Sequence, residues 1–188
     1  EFKFPFGFKE LEGIHSRTDF DLKQHEVFSK KKLRYFDPER NESYIPYVIE
    51  TSIGLDRMFL AILSNSLKEE ELEDGSKRIV LSLPKPLAPT KAAILPLVKK
   101  DGLSEKAKEI FNDLKLDFEC SYDEKDSIGK RYRRSDALGT PFCLTIDHET
   151  LIDNAITIRE RDSMAQKRIP ISSISSYVEK EVNMKSLF

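Results

Sequence analysis

Four residues within one short stretch have the types and the spacing of a binding site for a small charged molecule. Glu50, Ser52 and Gly54 alternate along a predicted strand, so they face the same side. Arg57 follows in the first turn of a predicted helix, where its guanidinium can stack on an aromatic ring and reach phosphate oxygens. Because Gly54 has no side chain, a flat ligand can approach its backbone. The stretch is equally compatible with an ordinary strand, turn and helix in which Asp56 caps the helix and Arg57 is solvated.

A second group of carboxylates lies upstream of this stretch. Glu10 and Glu12 fall on one face of an extended segment, and Leu11 falls on the other. Paired carboxylates of this kind can coordinate magnesium beside triphosphate oxygens. A charged face in contact with solvent is the other interpretation, and the residues alone leave both open.

The next segment offers one cation and two imidazoles. Arg17 can form a local ion pair with Asp19 or Asp21, or it can help to position a substrate. His15 and His25 are expected at the surface or in capping positions. Because no third ligand accompanies them at metal spacing, we assign no metal to histidine.

Any contact with nucleic acid has to come from local patches of positive charge. The 188 residues carry a formal net charge of -2, which excludes a globally basic nucleic-acid binder. Ser29–Arg34 is one basic cluster; it can contact RNA phosphates, or it can be the solvated edge of a hairpin.

The cysteines and the apolar segments bound the class of protein further. Cys120 and Cys143 have no paired spacing, which argues against a zinc site or a disulfide framework and fits a reducing compartment. We expect both to be buried as small hydrophobic residues. No apolar run is long enough to span a bilayer, and the residues after Glu1 lack the layout of a signal peptide.

The acidic run Leu67–Lys77 divides the chain. It carries an Asp-Gly turn signal and predicts a boundary between residues 1–76 and residues 77–188. In the second part, short apolar runs alternate with amphipathic stretches, which predicts a small α/β domain with a mixed sheet flanked by helices. The predicted strands are residues 91–98, 118–122, 141–146 and 155–159, and the predicted helices are 104–114, 127–138, with Gly139 as its C-cap, and one within 169–182.

The stretch around Glu50 resembles motif 3 of the class II aminoacyl-tRNA synthetases, and in detail that of the glycyl-tRNA synthetases. The family pattern is Glu-Pro-Ser followed by Gly-Leu-Asp-Arg; this chain has Thr51 where proline is usual, on the face turned away from the ligand. The resemblance implies that Glu50 holds the ammonium of glycine, that Ser52 assists, and that Arg57 clamps adenine and phosphate. The implied glycine-binding residues are Glu50, Thr51, Ser52, Ile53 and Gly54, and the implied ATP-binding residues are Glu10, Leu11, Gly54, Leu55, Asp56 and Arg57.

Two further roles follow from the same resemblance. Glu10 is implied to help hold Mg²⁺ through ATP, so the cofactors are ATP and Mg²⁺. No residue is implied to act in covalent catalysis, since the work is positioning and charge compensation. The segment with Arg17 resembles the family's Arg-Thr-Asp-Tyr/Phe-Asp-Leu sequence, whose place is close to the acceptor end of tRNA.

The second part resembles the anticodon-binding domain that glycyl-, histidyl-, prolyl- and threonyl-tRNA synthetases share. The matching segments are Leu87–Leu97, Gly129–Arg134, Gly139–Phe142 and Ile158–Asp162. The resemblance implies a surface that reads the anticodon of tRNA(Gly), for which the candidates are Lys130, Arg131, Arg133, Arg134, Arg159 and Arg161. The alternative is that these residues form a surface network of ion pairs with Asp123, Glu124, Glu160 and Asp162.

Taken together, the resemblance implies the carboxy-terminal portion of a glycyl-tRNA synthetase. The expected fold is the end of the class II antiparallel catalytic sheet (α+β) in residues 1–76, followed by an α/β anticodon-binding domain in residues 77–188. The implied whole enzyme attaches glycine to tRNA(Gly) through glycyl-adenylate, is a homodimer, works in the cytoplasm and contacts no membrane. Motifs 1 and 2 are not found, so we expect the chain alone to be inactive. The alternatives are a non-catalytic nucleic-acid-binding relative that resembles a polymerase accessory subunit, and a prolyl or threonyl enzyme.

Overall fold

The structure is a computed structural model that describes residues 1–188, and it divides into two compact units. The first unit is Glu1–Ser64 and the second is Asn65–Phe188. No helix in the structure combines the length and the apolar character that crossing a bilayer requires.

The first unit consists of short strands, two helices and three antiparallel strand pairs. Strand β1 pairs with β2, β4 pairs with β5, and β3 pairs with β6. The elements are β1 (Phe2–Phe4), β2 (Gly7–Lys9), β3 (Glu12–Thr18), α1 (Phe20–Ser29), β4 (Tyr35–Asp37), β5 (Glu42–Tyr44), β6 (Val48–Ile53) and α2 (Leu55–Ser66).

The β3–β6 pair is the part of this unit that carries the candidate site, and it has little apolar cover. Phe4 and Ala61 are the only buried hydrophobic residues of the unit, whereas Ile14 on β3 is 69% exposed and Ile49 on β6 is 66% exposed. Two strands alone do not bury enough surface to be stable in water. The pairing therefore fixes the register of the site, but it does not by itself build a hydrophobic core.

The second unit is built on a five-stranded mixed sheet, which confirms the predicted class of this part. The strand order is β10-β9-β11-β12-β13; β9, β10 and β11 are parallel, and β12 and β13 are antiparallel to their neighbours. The elements are β7 (Leu67–Glu71), β8 (Lys77–Leu81), β9 (Ala92–Pro96), α3 (Leu103–Leu114), β10 (Cys120–Tyr122), α4 (Ile128–Leu138), β11 (Phe142–Ile146), α5 (Thr150–Asp153), β12 (Ala155–Glu160), β13 (Gln166–Pro170) and α6 (Ile174–Val182).

Helices cover both faces of this sheet, which is why its central strands are almost wholly apolar. On β9, Ala92 and Ile94 face the cluster that includes side chains of α3 and α6, whereas Ala93 and Leu95 face α4. The buried Cys143 also lies on the α4 side, and burial raises the pKa of its thiol to about 11.

The division between the units differs from the boundary expected at residues 76 and 77. The hairpin of β7 and β8 belongs to the second unit, because β8 packs on α4. The acidic, turn-rich run that suggested a linker consists of strand β7 and the turn of this hairpin, with Glu69 and Lys77 forming an ion pair between the two strands. Its charges are those of an exposed hairpin rather than of a linker between domains.

A buried ion triad holds β8, α4 and β12 together. Asp136 of α4 is fully buried, and its Oδ2 accepts a hydrogen bond of 3.0 Å from Nη1 of Arg78 on β8. Arg159 of β12 donates from Nη1 to Oδ1 at 2.8 Å and from Nη2 to Oδ2 at 3.0 Å. One carboxylate thus compensates two buried guanidiniums. Its loss leaves Arg159 without a charged partner and leaves Arg78 with Glu70 alone, whose Oε2 lies 2.6 Å from Nη2 of Arg78.

We predict that Asp136→Asn destabilises the chain by about 3–5 kcal/mol, because the neutral amide cannot compensate the buried charges of Arg78 and Arg159. Urea denaturation of the 188-residue chain measures the change. Asp113→Asn, at an exposed position of α3, is the matched control and should change the stability by less than about 0.5 kcal/mol. Equal, small effects of the two substitutions would show that the triad does not hold the unit together.

Candidate functional site

The pairing of β3 with β6 brings His15, Glu50 and Ser52 to one face, whereas Glu12, Ser16 and Thr51 lie on the other. His15 lies directly opposite Glu50, and Gly13 lies directly opposite Ser52. Residues that are directly opposite in an antiparallel pair project to the same side. The face therefore carries a carboxylate, a hydroxyl and an imidazole. Thr51 and Ile53 of the predicted glycine-binding set belong to the other face and can offer only their backbone to a ligand here.

Arg17 reaches this face from an irregularity in β3. The register shifts between Ser16 and Thr18, so Arg17 is the extra residue of a β-bulge, a feature that often re-aims a side chain next to a binding site. Its Nε lies 3.4 Å from Oε2 of Glu50. The same guanidinium donates to Asp21 from Nε at 2.7 Å and from Nη2 at 3.0 Å.

The electrostatics of Arg17 keep it charged. The hydrogen bond to Asp21, the charge of Asp21 and the charge of Glu50 all raise the pKa of Arg17 above its ordinary value. The same hydrogen bond lowers the pKa of Asp21. Both expectations for Arg17, a local ion pair and a place beside a substrate site, are compatible with this geometry. Because two of its five N–H groups bind Asp21, other donors stay free for a ligand.

Arg57 folds back over Gly54. A Cβ atom at Gly54 would lie 3.6 to 3.8 Å from the Cβ, Cγ and Cδ atoms of Arg57, so the stem of the arginine covers the bare backbone. Nη1 of Arg57 donates a hydrogen bond of 2.5 Å to the carbonyl oxygen of Glu10. The structure thus brings Glu10 and Arg57 together through the backbone of Glu10, and the Glu10 carboxylate makes no hydrogen bond or ion pair. Leu55 and Asp56, also in the predicted ATP-binding set, are exposed in the first turn of α2.

The face has the charge pattern that complements a small zwitterion. A carboxylate can bind an ammonium group, a neighbouring guanidinium can bind a carboxylate, and Ser52 can add a hydroxyl hydrogen bond. The distance of 3.4 Å between Arg17 and Glu50 places the two charges side by side. A ligand that carries the two charged groups on one carbon atom fits this arrangement.

The candidate RNA-binding residues of the second unit fall into two groups. Lys130, Arg133 and Arg134 are exposed on α4. Arg134 donates to Oδ2 of Asp123 from Nε at 3.0 Å and from Nη2 at 2.8 Å, and it also reaches Asp126 at 3.4 Å. Lys130 makes no ion pair, and Arg133 makes only a long contact of 3.5 Å to a backbone oxygen. The positive charge of α4 that no carboxylate compensates is therefore concentrated at Lys130 and Arg133.

Burial corrects the expectation for the other three arginines. Arg131, Arg159 and Arg161 are 2%, 5% and 2% exposed, so their guanidiniums cannot contact RNA in this conformation. Arg131 donates to the backbone oxygens at the end of β9, including that of Pro96 at 2.6 Å, and burial lowers its pKa. Its guanidinium therefore binds the backbone at the end of β9 and is not available at the surface.

The remaining two buried arginines also have internal partners. Arg159 binds Asp136 and stacks on Tyr132, with its guanidinium carbon 4.8 Å from the ring centroid. Arg161 donates to the backbone oxygens of Gly139 at 2.8 Å and of Leu83 at 2.6 Å, and it pairs with the carboxylate of Asp162. These contacts connect Arg161, which follows β12, to the residues that follow α4 and β8.

The alternative network of ion pairs is present in part. Asp123 pairs with Arg134, and Asp162 pairs with Arg161. Glu160 pairs instead with Lys85, and Glu124 accepts hydrogen bonds from Tyr122 and Ser104. The cluster Ser29–Arg34 is exposed between α1 and β4 and does not form a strand; Arg34 in it pairs with Glu26 at 3.2 Å.

The known proteins that this chain matches agree with the motifs on both units. A family model described as an anticodon binding domain matches residues 91–181. A glycine-tRNA ligase from Chlorobaculum tepidum is 53% identical over 178 residues, which is 95% of this chain and 38% of the relative. A glycine-tRNA ligase from Clostridium acetobutylicum is 52% identical over 97% of this chain and 39% of the relative. The chain spans about two fifths of the length of these curated relatives.

A solved structure supports the fold. The RNA binding domain of threonyl-tRNA synthetase from Cryptosporidium parvum Iowa II matches with a TM-score of 0.63, covering 79% of this chain and 35% of that chain. At 23% identity this likeness concerns the fold alone. The identity to the ligases, by contrast, extends over nearly the whole chain and includes the anticodon binding domain, and we conclude that the chain matches the carboxy-terminal part of glycine-tRNA ligases.

Proposed function

We propose that this chain serves a glycine-tRNA ligase, in which ATP activates glycine as glycyl-adenylate and the glycyl group is passed to tRNA(Gly). In this proposal β3, β6 and α2 are the end of a class II antiparallel catalytic sheet with its motif 3 helix, and the second unit binds the anticodon. By the same resemblance, the whole ligase is a homodimer that works in the cytoplasm.

The observation that carries the proposal is the Glu50 carboxylate 3.4 Å from the Arg17 guanidinium, on a face shared with Ser52. Free glycine presents an ammonium and a carboxylate on one carbon, and this pair of side chains offers the complementary charge to each. Glu50 holds the ammonium and Arg17 holds the carboxylate. The two groups together orient the carboxylate of glycine for attack on the α-phosphate, so their contribution is positioning.

The bare backbone at Gly54 and the side chain of Arg57 supply the adjoining nucleotide site. The stem of Arg57 lies along Gly54, so its planar head group can stack on adenine while its free N–H groups reach phosphate oxygens. The carboxylate of Glu10 has no protein partner, and no cluster of three metal-ligating side chains exists in the structure. A single free carboxylate beside the triphosphate fits Mg²⁺, which commonly takes one or two carboxylates and completes its shell with phosphate and water oxygens. When bound, Mg²⁺ neutralises charge on the phosphates.

In the second unit, Lys130 and Arg133 provide the positive charge that the proposal requires. Cations of this kind hold the RNA backbone while unpaired anticodon bases stack and hydrogen-bond nearby. The Asp136 triad fixes the orientation of α4 and so the side to which these two residues point. Arg134 is a weaker candidate, since Asp123 and Asp126 already compensate its charge.

We predict that Glu50→Gln in a full-length ligase containing this chain raises the KM for glycine by ~10-fold or more, because a charged hydrogen bond of about 1.5–3 kcal/mol to the ammonium is lost. The KM for ATP should change by less than about twofold. Glycine-dependent exchange of pyrophosphate into ATP measures both values. Glu39→Gln, on an exposed hairpin turn, is the control and should leave both unchanged.

A larger effect of Glu50→Gln on the ATP requirement than on the glycine requirement would contradict this assignment. It would place Glu50 in the nucleotide site and remove the complementarity between the Arg17–Glu50 pair and glycine.

We predict that the double substitution Lys130→Gln and Arg133→Gln weakens binding of tRNA(Gly) and reduces the dependence of log affinity on log salt by about 1 to 2, because each phosphate contact contributes roughly one released counterion. Filter binding at several salt concentrations measures the slope. Exchange of pyrophosphate should not change, because this reaction uses no tRNA.

The matched control for this experiment is Lys180→Gln with Lys185→Gln, which removes the same charge from the exposed end of the chain. If the control lowers affinity and the salt slope as much as the α4 variant does, the effect comes from net charge and α4 is not the RNA-binding surface.

A further inference from the structure

His15 is exposed to solvent, yet it lies within the candidate amino-acid site. It lies directly opposite Glu50, so its side chain is on the face that carries Glu50 and Ser52. Its ring lies across Gly13: a Cβ atom at Gly13 would be 3.2 Å from Cε1 and 3.3 Å from Cδ2 of His15 and would press on Nε2 more closely still. The ring can occupy this place only because residue 13 is a glycine.

The ring fills the space next to the hydroxyl of the site. Gly13 is the direct partner of Ser52, so an imidazole that covers Gly13 lies beside Ser52, two positions along β6 from Glu50. No hydrogen bond or ion pair holds His15 elsewhere, and Arg17, two residues along, closes the side of the site beside Glu50. This face of the β3–β6 pair therefore carries the carboxylate of Glu50, the hydroxyl of Ser52 and the ring of His15, which lies over the backbone of Gly13.

We propose that His15 is a specificity-determining wall that restricts this site to glycine. The inference rests on the proposed function, because it takes Glu50 and Arg17 as the groups that hold the ammonium and the carboxylate. An amino acid held at both groups has its α-carbon next to the pair, because the two groups are only 3.4 Å apart, and a side chain larger than hydrogen needs room on the face of the strands. The ring of His15 takes that room over Gly13, so alanine and serine are rejected by exclusion rather than by loss of an attractive contact.

Exclusion by a wall suits the problem that glycine poses. A pocket cannot gain affinity from a side chain that is absent, and the discrimination has to come from the larger competitor. A single methyl group rejected by a tight site changes kcat/KM by ~10-fold to ~200-fold. Of the two β3 residues that lie opposite Glu50 and Ser52, His15 has a bulky side chain, whereas Gly13 has none.

The test uses a full-length ligase that contains this chain and measures pyrophosphate exchange with glycine and with alanine. His15→Ala and His15→Ser both remove the ring, and we expect the ratio of kcat/KM for alanine to that for glycine to rise by ~10-fold or more in either. His15→Leu keeps the bulk and should retain a ratio close to that of the wild type. His25→Ala, at an exposed position of α1, is the control histidine and should leave the ratio unchanged.

The outcomes separate the two proposals. A ratio within twofold of the wild type in both ringless variants, or an equal rise in His15→Leu, overturns the role of His15 and leaves the proposed function standing. A wild-type ligase that activates no glycine overturns the proposed function itself. A rise in the ringless variants alone supports the wall.

Discussion

The antiparallel register of β3 and β6 is the constraint on which the proposed amino-acid site depends. It sets Glu50 opposite His15 and Ser52 opposite Gly13, and the bulge next to it delivers Arg17 to within 3.4 Å of Glu50. A slip of one residue would turn every polar side chain of one strand to the other face. The chemistry needs little more than this geometry, because binding a zwitterion beside a nucleotide is a matter of placing charges that the backbone has already aligned.

In the second unit, the orientation of α4 is constrained by buried charges rather than by the register of two strands. Asp136 compensates Arg78 and Arg159 inside the layer between α4 and the sheet. A buried triad of this kind costs desolvation, and it tolerates no loss of a member, so it fixes α4 in one orientation. The consequence for function is indirect: with α4 held in this orientation, Lys130 and Arg133 are exposed to solvent, and Arg133 lies next to β8, 3.5 Å from the backbone oxygen of Lys77.

The sequence was sufficient for strands β9 to β12 and for helices α3, α4 and α6 of the second unit, but it did not predict β13 or the β7–β8 hairpin. In the first unit it was sufficient to group Glu50 with Ser52. Period-two alternation put Glu50, Ser52 and Gly54 together, and the cross-strand register agrees with it. The basic residues of α4 were taken as one set, although the helical period separates them. Arg131 lies on the stripe that faces the sheet, whereas Lys130 lies on the exposed stripe.

What the sequence could not supply was the identity of partners distant along the chain. Arg159 looks like a surface cation until β12 is placed with its Ile158 face towards α3 and α6, which turns Arg159 towards Asp136 on α4. His15 likewise acquires meaning only from the register that sets it opposite Glu50, 35 positions later in the printed sequence. The bulge at Arg17 left no signal in the local pattern.

The most direct test of the central claim is a crystal structure of a full-length ligase containing this chain with glycine bound. We expect the glycine ammonium within hydrogen-bonding distance of the Glu50 carboxylate, about 2.7–2.9 Å, and the glycine carboxylate directed at the guanidinium of Arg17. Glycine bound away from the β3–β6 face, or with its carboxylate turned towards Glu50, would contradict it.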